Sequence, residues 1–254
     1  MRWLTIFLDF PAGSFEAGVT FWREVTGSGL SAIRGTSGEF ATLLPPTGDA
    51  YLRVQRVAAG GGGCHLDLHV DGSLSDAADH AVALGATIRH AQEGLIVADS
   101  PSGFTFCLVG WHGEAVVPSP VLLGDAGESR ADQLCLDIPH ADYDSECFFW
   151  SELTGYELRA SSRPEFAYLA RPEGIPVRLL LQRRDHAAPG DPVTAHVDFA
   201  CADRQLLTVS HAAAGARVLS LFPHWIVLAD PAGREYCLTA RDPRTGTLSR
   251  GAPN

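Results

Sequence analysis

The sequence predicts an α+β protein of four βαβββ modules, which form two cup-shaped sheets with the helices outside. Three observations lead there. The chain repeats itself at a nearly constant offset. Each half contains a second, weaker strand–helix–three-strand period. The best-patterned strands alternate an apolar face with a polar one.

The duplication rests on motifs that return in the same order. Leu8–Pro11 (LDFP) returns as Leu136–Pro139 (LDIP), and Phe21–Gly27 (FWREVTG) as Phe149–Gly155 (FWSELTG). Glu39–Ala41 returns at Glu165–Ala167, and Val54–Arg56 at Leu181–Arg183. His65–Leu68 (HLDL) returns as His196–Phe199 (HVDF), Leu84–Ala86 as Ala214–Ala216, and Pro101–Leu108 as Pro231–Leu238. Domains are therefore expected at 1–110 and 131–242, with a linker over 111–130 and a tail over 243–254. The linker holds Pro118, Pro120, Gly124 and Gly127, residues that interrupt regular structure.

Within the first half the elements follow in order. A strand at Leu4–Phe10 leads to a helix at about Phe15–Val25. Strands follow near Gly29–Ile33, Glu39–Leu44 and Tyr51–Val57. The order then repeats: a strand at Cys64–Val70 and a helix at about Leu74–Leu84, stopped by Gly85. Strands near Thr87–His90, Leu95–Ala98 and Phe104–Leu108 close the module. Turns fall at Pro45–Gly48 and Pro101–Gly103, where Pro and Gly supply the backbone angles. The Gly60–Gly63 run lacks the helix and Lys of a phosphate loop and reads as a connection between modules.

Side chains alternate across a strand. Leu66, Leu68 and Val70 share one face, while His65, Asp67 and His69 share the other. In the second half Val197, Phe199 and Cys201 oppose His196, Asp198 and Ala200. An apolar face under helices and a polar inner face make a cup able to hold a small molecule.

Composition narrows the function. The chain has 254 residues, 46% hydrophobic and 19% charged, with a formal net charge of −11. That acidity disfavours nucleic acid and anionic membrane surfaces as partners. All 19 basic residues are arginine, which removes Schiff-base chemistry. Six cysteines without a CxxC pair, no signal-peptide pattern and no membrane-length apolar run point to free thiols in the cytoplasm.

The paired modules, HLDLHVD at His65–Asp71, the GA after each second helix, and DPAGREYCL at Asp230–Leu238 resemble the vicinal oxygen chelate superfamily. Within it they resemble its glyoxalase-like domains. The resemblance implies glyoxalase-like cups, a small-molecule ligand or substrate, two domains packed as a fused pseudo-dimer, and room for homo-oligomers. The superfamily includes glyoxalases, dioxygenases and metal-free bleomycin-binding proteins. Its enzymes hold a divalent metal with inward His or Glu side chains. Carried over, those positions fall at Thr5, within Tyr51–Arg56, at His65 and at Cys107, then at Gln133, within Arg178–Arg183, at His196 and at Cys237. One His and one Cys per half are too few for a firm site, so no cofactor is expected. A metal, if held, would use His65, Cys107, His196 and Cys237.

His65 and His196 are the candidate acid–base groups. Asp67, Asp198, Gln55, Gln182, Trp225, Tyr236, Cys107 and Cys237 are the candidate ligand-binding residues. Each has a structural alternative. The His–Asp pairs could tie neighbouring strands, the amides could bridge strands, and free cysteines usually pack as small hydrophobes. Trp22 and Trp150 read as core. Trp225, with Leu95 at the matching place, suggests that the second cup differs in what it takes. Three functions follow: metal-independent small-molecule binding for sequestration or resistance; a lyase, isomerase or cofactor-free acid–base enzyme; or a noncatalytic scaffold.

Overall fold

A computed structural model describes residues 1–186, 188 and 190–248. The first repeat runs β1 (Trp3–Pro11), α1 (Phe15–Val25), β2 (Gly29–Leu30), β3 (Phe40–Leu44), β4 (Leu52–Val57), β5 (Gly63–Val70), α2 (Leu74–Ala83), β6 (Thr87–Gln92), β7 (Leu95–Asp99) and β8 (Thr105–Gly110). β9 (Val121–Leu122) follows. The second repeat runs β10 (Glu128–Pro139), α3 (Tyr143–Thr154), β11 (Leu158–Ala160), β12 (Phe166–Leu169), β13 (Arg178–Arg184), β14 (Thr194–Cys201), α4 (Arg204–Ala213), β15 (Arg217–Leu221), β16 (Trp225–Ala229) and β17 (Glu235–Thr239).

Both repeats fold into mixed sheets of the same order. The first is β2-β3-β4-β1-β5-β8-β7-β6, and the second is β11-β12-β13-β10-β14-β17-β16-β15. These are the expected α+β cups, open rather than closed into barrels. Within each sheet the central pairing is parallel, with Asp67 opposite Cys107 and Asp198 opposite Cys237.

The helices form where the pattern places them. α1 buries Phe15, Gly18, Val19, Trp22 and Val25, spaced by three and four residues along one face. Ser73 caps α2 by accepting from the Asp76 N–H, and Asp203 caps α4 by accepting from Gln205 and Leu206. Gly155 ends α3 in the left-handed conformation that L side chains avoid. The strand expected at Gly29–Ile33 is shorter, because Ser31 turns its hydroxyl to the Thr42 N–H and the chain leaves the ladder. Inside the expected linker, β9 pairs with Glu128–Ser129 of β10. Within the expected tail, Arg244 pairs with Glu128 and Arg241 bridges Leu248, while residues 249–254 lie outside the described residues.

Packing divides the described residues into two compact units, and each draws on both repeats. The first comprises Met1–Phe7, Cys64–Val116 and Leu134–Ala195. The second comprises Leu8–Gly63, Val117–Gln133 and His196–Asn254. In the first unit, Phe104 and Phe106 meet Phe149 and Trp150 edge-on or tilted at 5.5–5.8 Å. In the second, Phe21 and Trp22 of α1 pack on Phe199, His211 and Tyr236. Trp22 and Trp150 are fully buried, as core residues should be. Among the described residues no helix is long and apolar enough to cross a membrane.

Candidate functional site

The inner faces of β5 and β14 carry the polar residues their alternation predicts. Leu66 and Leu68 are fully buried on one side, while His65, Asp67 and His69 occupy the other. Repeat two follows the same rule, with Val197 and Phe199 buried opposite His196 and Asp198.

In the first repeat, His65 Nε2 lies 3.9 Å from Asp67 Oδ1. Phe7 stacks on the His65 ring with centroids 4.4 Å apart. Cys107 enters from β8, directly opposite Asp67. One donor atom from each of His65, Asp67 and Cys107 lies within 4.8 Å of the others. Thr5 Oγ1 lies 3.0 Å from His69 Nε2, so the hydroxyl is committed to that ring.

In the second repeat, Gln133 stands at the position matching Thr5 and does something different. Its Nε2 donates to Asp198 Oδ2. Asp198 Oδ1 faces His196 Nε2 at 3.3 Å. Burial pushes the Asp198 carboxyl up, but His196, Arg241 and the Gln133 amide outweigh it and hold the group below the usual carboxylate range. The result is a Gln133–Asp198–His196 chain built on an anionic centre. Burial, reinforced by Asp198, pushes the Cys237 thiol up to about 11, so it stays protonated at neutral pH. Below the chain, Arg241 donates to both Asp132 oxygens at 2.5 and 3.2 Å, and both side chains are buried.

The remaining candidates divide. Trp225 begins β16 opposite Thr239, on the same face as Cys237, and stacks on Phe222 at 4.7 Å. Gln55 lies half-buried on β4 opposite Phe40, alternating with buried Leu52 and Val54. Gln182 lies opposite Phe166 and accepts from the Cys135 thiol at 3.5 Å. Tyr236 is a correction. It is fully buried on the helix side of β17, and its hydroxyl lies 3.0 Å from His211 Nδ1. Alternation with Cys237 sends it away from the cup. The structure adds two residues to the site, Gln133 as the partner of Asp198 and Arg241 as the buried cation. The only signal for Gln133 was its alignment with a position where relatives place a metal ligand.

The donors decide whether a divalent cation fits. The expected count of one His and one Cys per half is too low for the first repeat, because Asp67 joins His65 and Cys107. Three donors match the number in catalytic zinc sites. In the second repeat, Asp198 already accepts from the Gln133 amide, a hydrogen bond that a cation on that oxygen would have to displace.

Residues 5–109 and 133–239 each match the family model described as a glyoxalase-like domain. The chain belongs to that family. Its two copies sit in tandem, as vicinal oxygen chelate domains do. No curated protein matches the chain. Solved structures of the same fold include a Mn(II)-bound glyoxalase from Novosphingobium aromaticivorans, at 14% identity and TM-score 0.60, covering 98% of this chain and 84% of that one. Another is 2,2',3-trihydroxybiphenyl 1,2-dioxygenase from Sphingomonas wittichii, at 16% identity and TM-score 0.59, covering 92% and 88%. A mutant 4-hydroxymandelate synthase from Streptomyces coelicolor aligns at 15% identity and TM-score 0.58, covering 97% and 93%. At these identities the likeness concerns the fold.

Proposed function

We propose that this glyoxalase-like protein binds a small oxygenated molecule without a resident metal, using the second-repeat cup. The observation that carries this reading is the Gln133–Asp198–His196 chain. An ionised carboxylate, held in place by an amide, orients the imidazole and strengthens it as a hydrogen-bonding and proton-accepting group. A carbonyl or hydroxyl of the ligand is the natural partner for that ring. Trp225, on the same side of the sheet as Cys237, supplies a flat apolar wall. Sequestration or resistance, as in the metal-free binding members of the superfamily, is the simplest role for such a cup. If His196 exchanges a proton with the bound molecule, the same site becomes an acid–base lyase or isomerase.

A second reading has its own support. His65, Asp67 and Cys107 gather three donor atoms, and a divalent cation held there would supply Lewis acidity toward adjacent ligand oxygens.

One pair of measurements separates these readings. Metal analysis of the purified protein should find less than one equivalent. A thermal-shift screen of hydroxy- and keto-acids should then find a ligand whose stabilisation is lost in His196→Ala. Stoichiometric metal that disappears in Cys107→Ser would establish the second reading. Stabilisation that survives His196→Ala would overturn the first. Turnover lost in His196→Ala while binding persists would mark an enzyme.

A further inference from the structure

The two compact units close their helix–turn contacts with the same device, built from opposite sides. In the first unit, the buried carboxylate belongs to the helix. Glu146 of α3 accepts from Trp150 Nε1 at 2.7 Å, Ser100 Oγ at 2.8 Å and the Ser102 N–H at 2.7 Å. Ser100 Oγ in turn accepts from the Phe104 N–H at 3.0 Å. In the second unit, the carboxylate belongs to the turn. Asp230 accepts from Trp22 Nε1 at 2.8 Å and from the N–H groups of Ala232 and Arg234, both at 2.9 Å.

The repeat alignment makes these positions equivalent. Ser100 matches Asp230, and Gly18 matches Glu146, since Phe21–Gly27 aligns with Phe149–Gly155. Each contact therefore contains one carboxylate facing one indole N–H, and the helix is acidic only where the turn is not. The surroundings follow suit. A Cβ on Gly18 would come within 2.3 Å of the Phe10 ring, so α1 has no room for an acidic side chain there. Ile138, smaller than Phe10, stands at the matching place beside α3.

We infer that this alternation is a pairing code, which directs each helix to the turn of the other repeat and not to the turn of its own. In the observed contacts the Trp22 and Trp150 indoles, the Ser100 hydroxyl and the Ser102, Ala232 and Arg234 N–H groups all reach a carboxylate. Pairing within repeats would set α1 against the turn at Ser100. The Trp22 indole, the Ser100 hydroxyl and the Ser102 N–H would then face no carboxylate. It would also set α3 against the turn at Asp230, crowding two carboxylates on one indole. Buried donors without acceptors, and buried like charges, are among the costliest defects a fold can contain. The code thus selects the cross-repeat arrangement from modules that are otherwise alike.

The test uses the full chain and thermal unfolding. Ser100→Asp should lower the midpoint by on the order of 5 °C, because it puts a second carboxylate into the contact that Glu146 already fills. Glu146→Ala should lower it as well, by removing the carboxylate that Trp150, Ser100 and Ser102 share. Combining them rebuilds the second unit's scheme in the first, and the double variant should melt above both single variants. The exchange Ser100→Asp with Asp230→Ser keeps the composition constant but reverses the code. It should melt well below the wild type or fail to fold. A double variant no more stable than the weaker single one would overturn the inference, and so would an exchange variant with a wild-type midpoint whose crystal structure still packs Trp22 on Tyr236. If the exchange variant does not fold, the Ser100→Asp and Glu146→Ala cycle still decides.

Discussion

Between pH 7 and pH 5, acid should weaken this protein at His211. It is fully buried on α4, between Phe21, Phe199 and Tyr236. Nδ1 pairs with the Tyr236 hydroxyl, and Nε2 is buried with no hydrogen-bond partner among the described residues. Burial lowers its pKa from 6.5 to about 4. The unfolded chain therefore takes up a proton that the folded chain refuses. Stability is intact above about pH 6.5 and drains as the pH falls from there toward 4. The gap of about 2.5 units amounts to about 3 kcal/mol in full, of which about 2 kcal/mol is lost between pH 7 and pH 5. For a chain of this length that is a fall of about 5 °C in Tm. The control is the double variant His211→Ala and Tyr236→Phe, which installs the pair found at the matching positions, Ala81 and Phe106. Calorimetry at pH 7 and pH 5 should show the acid loss largely abolished in that variant, whatever its own stability at neutral pH. An equal loss in both proteins would refute the argument.

Other expectations are simpler to state. Arg241→Met strands Asp132 in the interior and should cost about 3–5 kcal/mol in urea unfolding, whereas Arg241→Met with Asp132→Leu should cost less than the single change. Gln133→Leu takes an amide from Asp198. Since that carboxyl is held low, its stabilising contribution is present above pH 3.8 and lost as the pH falls below it, so the variant's acid-unfolding midpoint should move up. Half-buried Cys64 should react with iodoacetamide at pH 8 before Cys237, whose thiol is buried and pushed up to about 11, as read by mass spectrometry of the native protein.

Local pattern carried most of the fold. The bounds of α1 fall where the three- and four-residue spacing of Phe15, Val19, Trp22 and Val25 puts them. Two-residue alternation placed His65, Asp67, His196 and Asp198 on the cup side. The same alternation assigns Tyr236 to the opposite face from Cys237, so strand parity, rather than residue type, gives its true place. The partnership of Gln133 with Asp198 was not legible, because 65 residues separate them and nothing local relates them. The count of metal donors missed Asp67 for a different reason. The family's ligand positions include His65 but not its neighbour two residues along the strand, which shares the same face. Which modules pack together also lay beyond local pattern, since all four share one plan and differ at a few buried positions.

The mixed parentage of the compact units bears on how the gene could have arisen. A polypeptide of half the length contains one module of each kind but no complete unit, so it must meet a second copy to finish either. Fusing two such genes turns that search between molecules into a tethered event, at an effective concentration on the order of millimolar. Only after fusion can the two halves diverge at partnered sites, because a substitution in one half no longer appears in its mate. Cleavage in the connecting segment would divide both units at once, leaving two fragments that depend on each other.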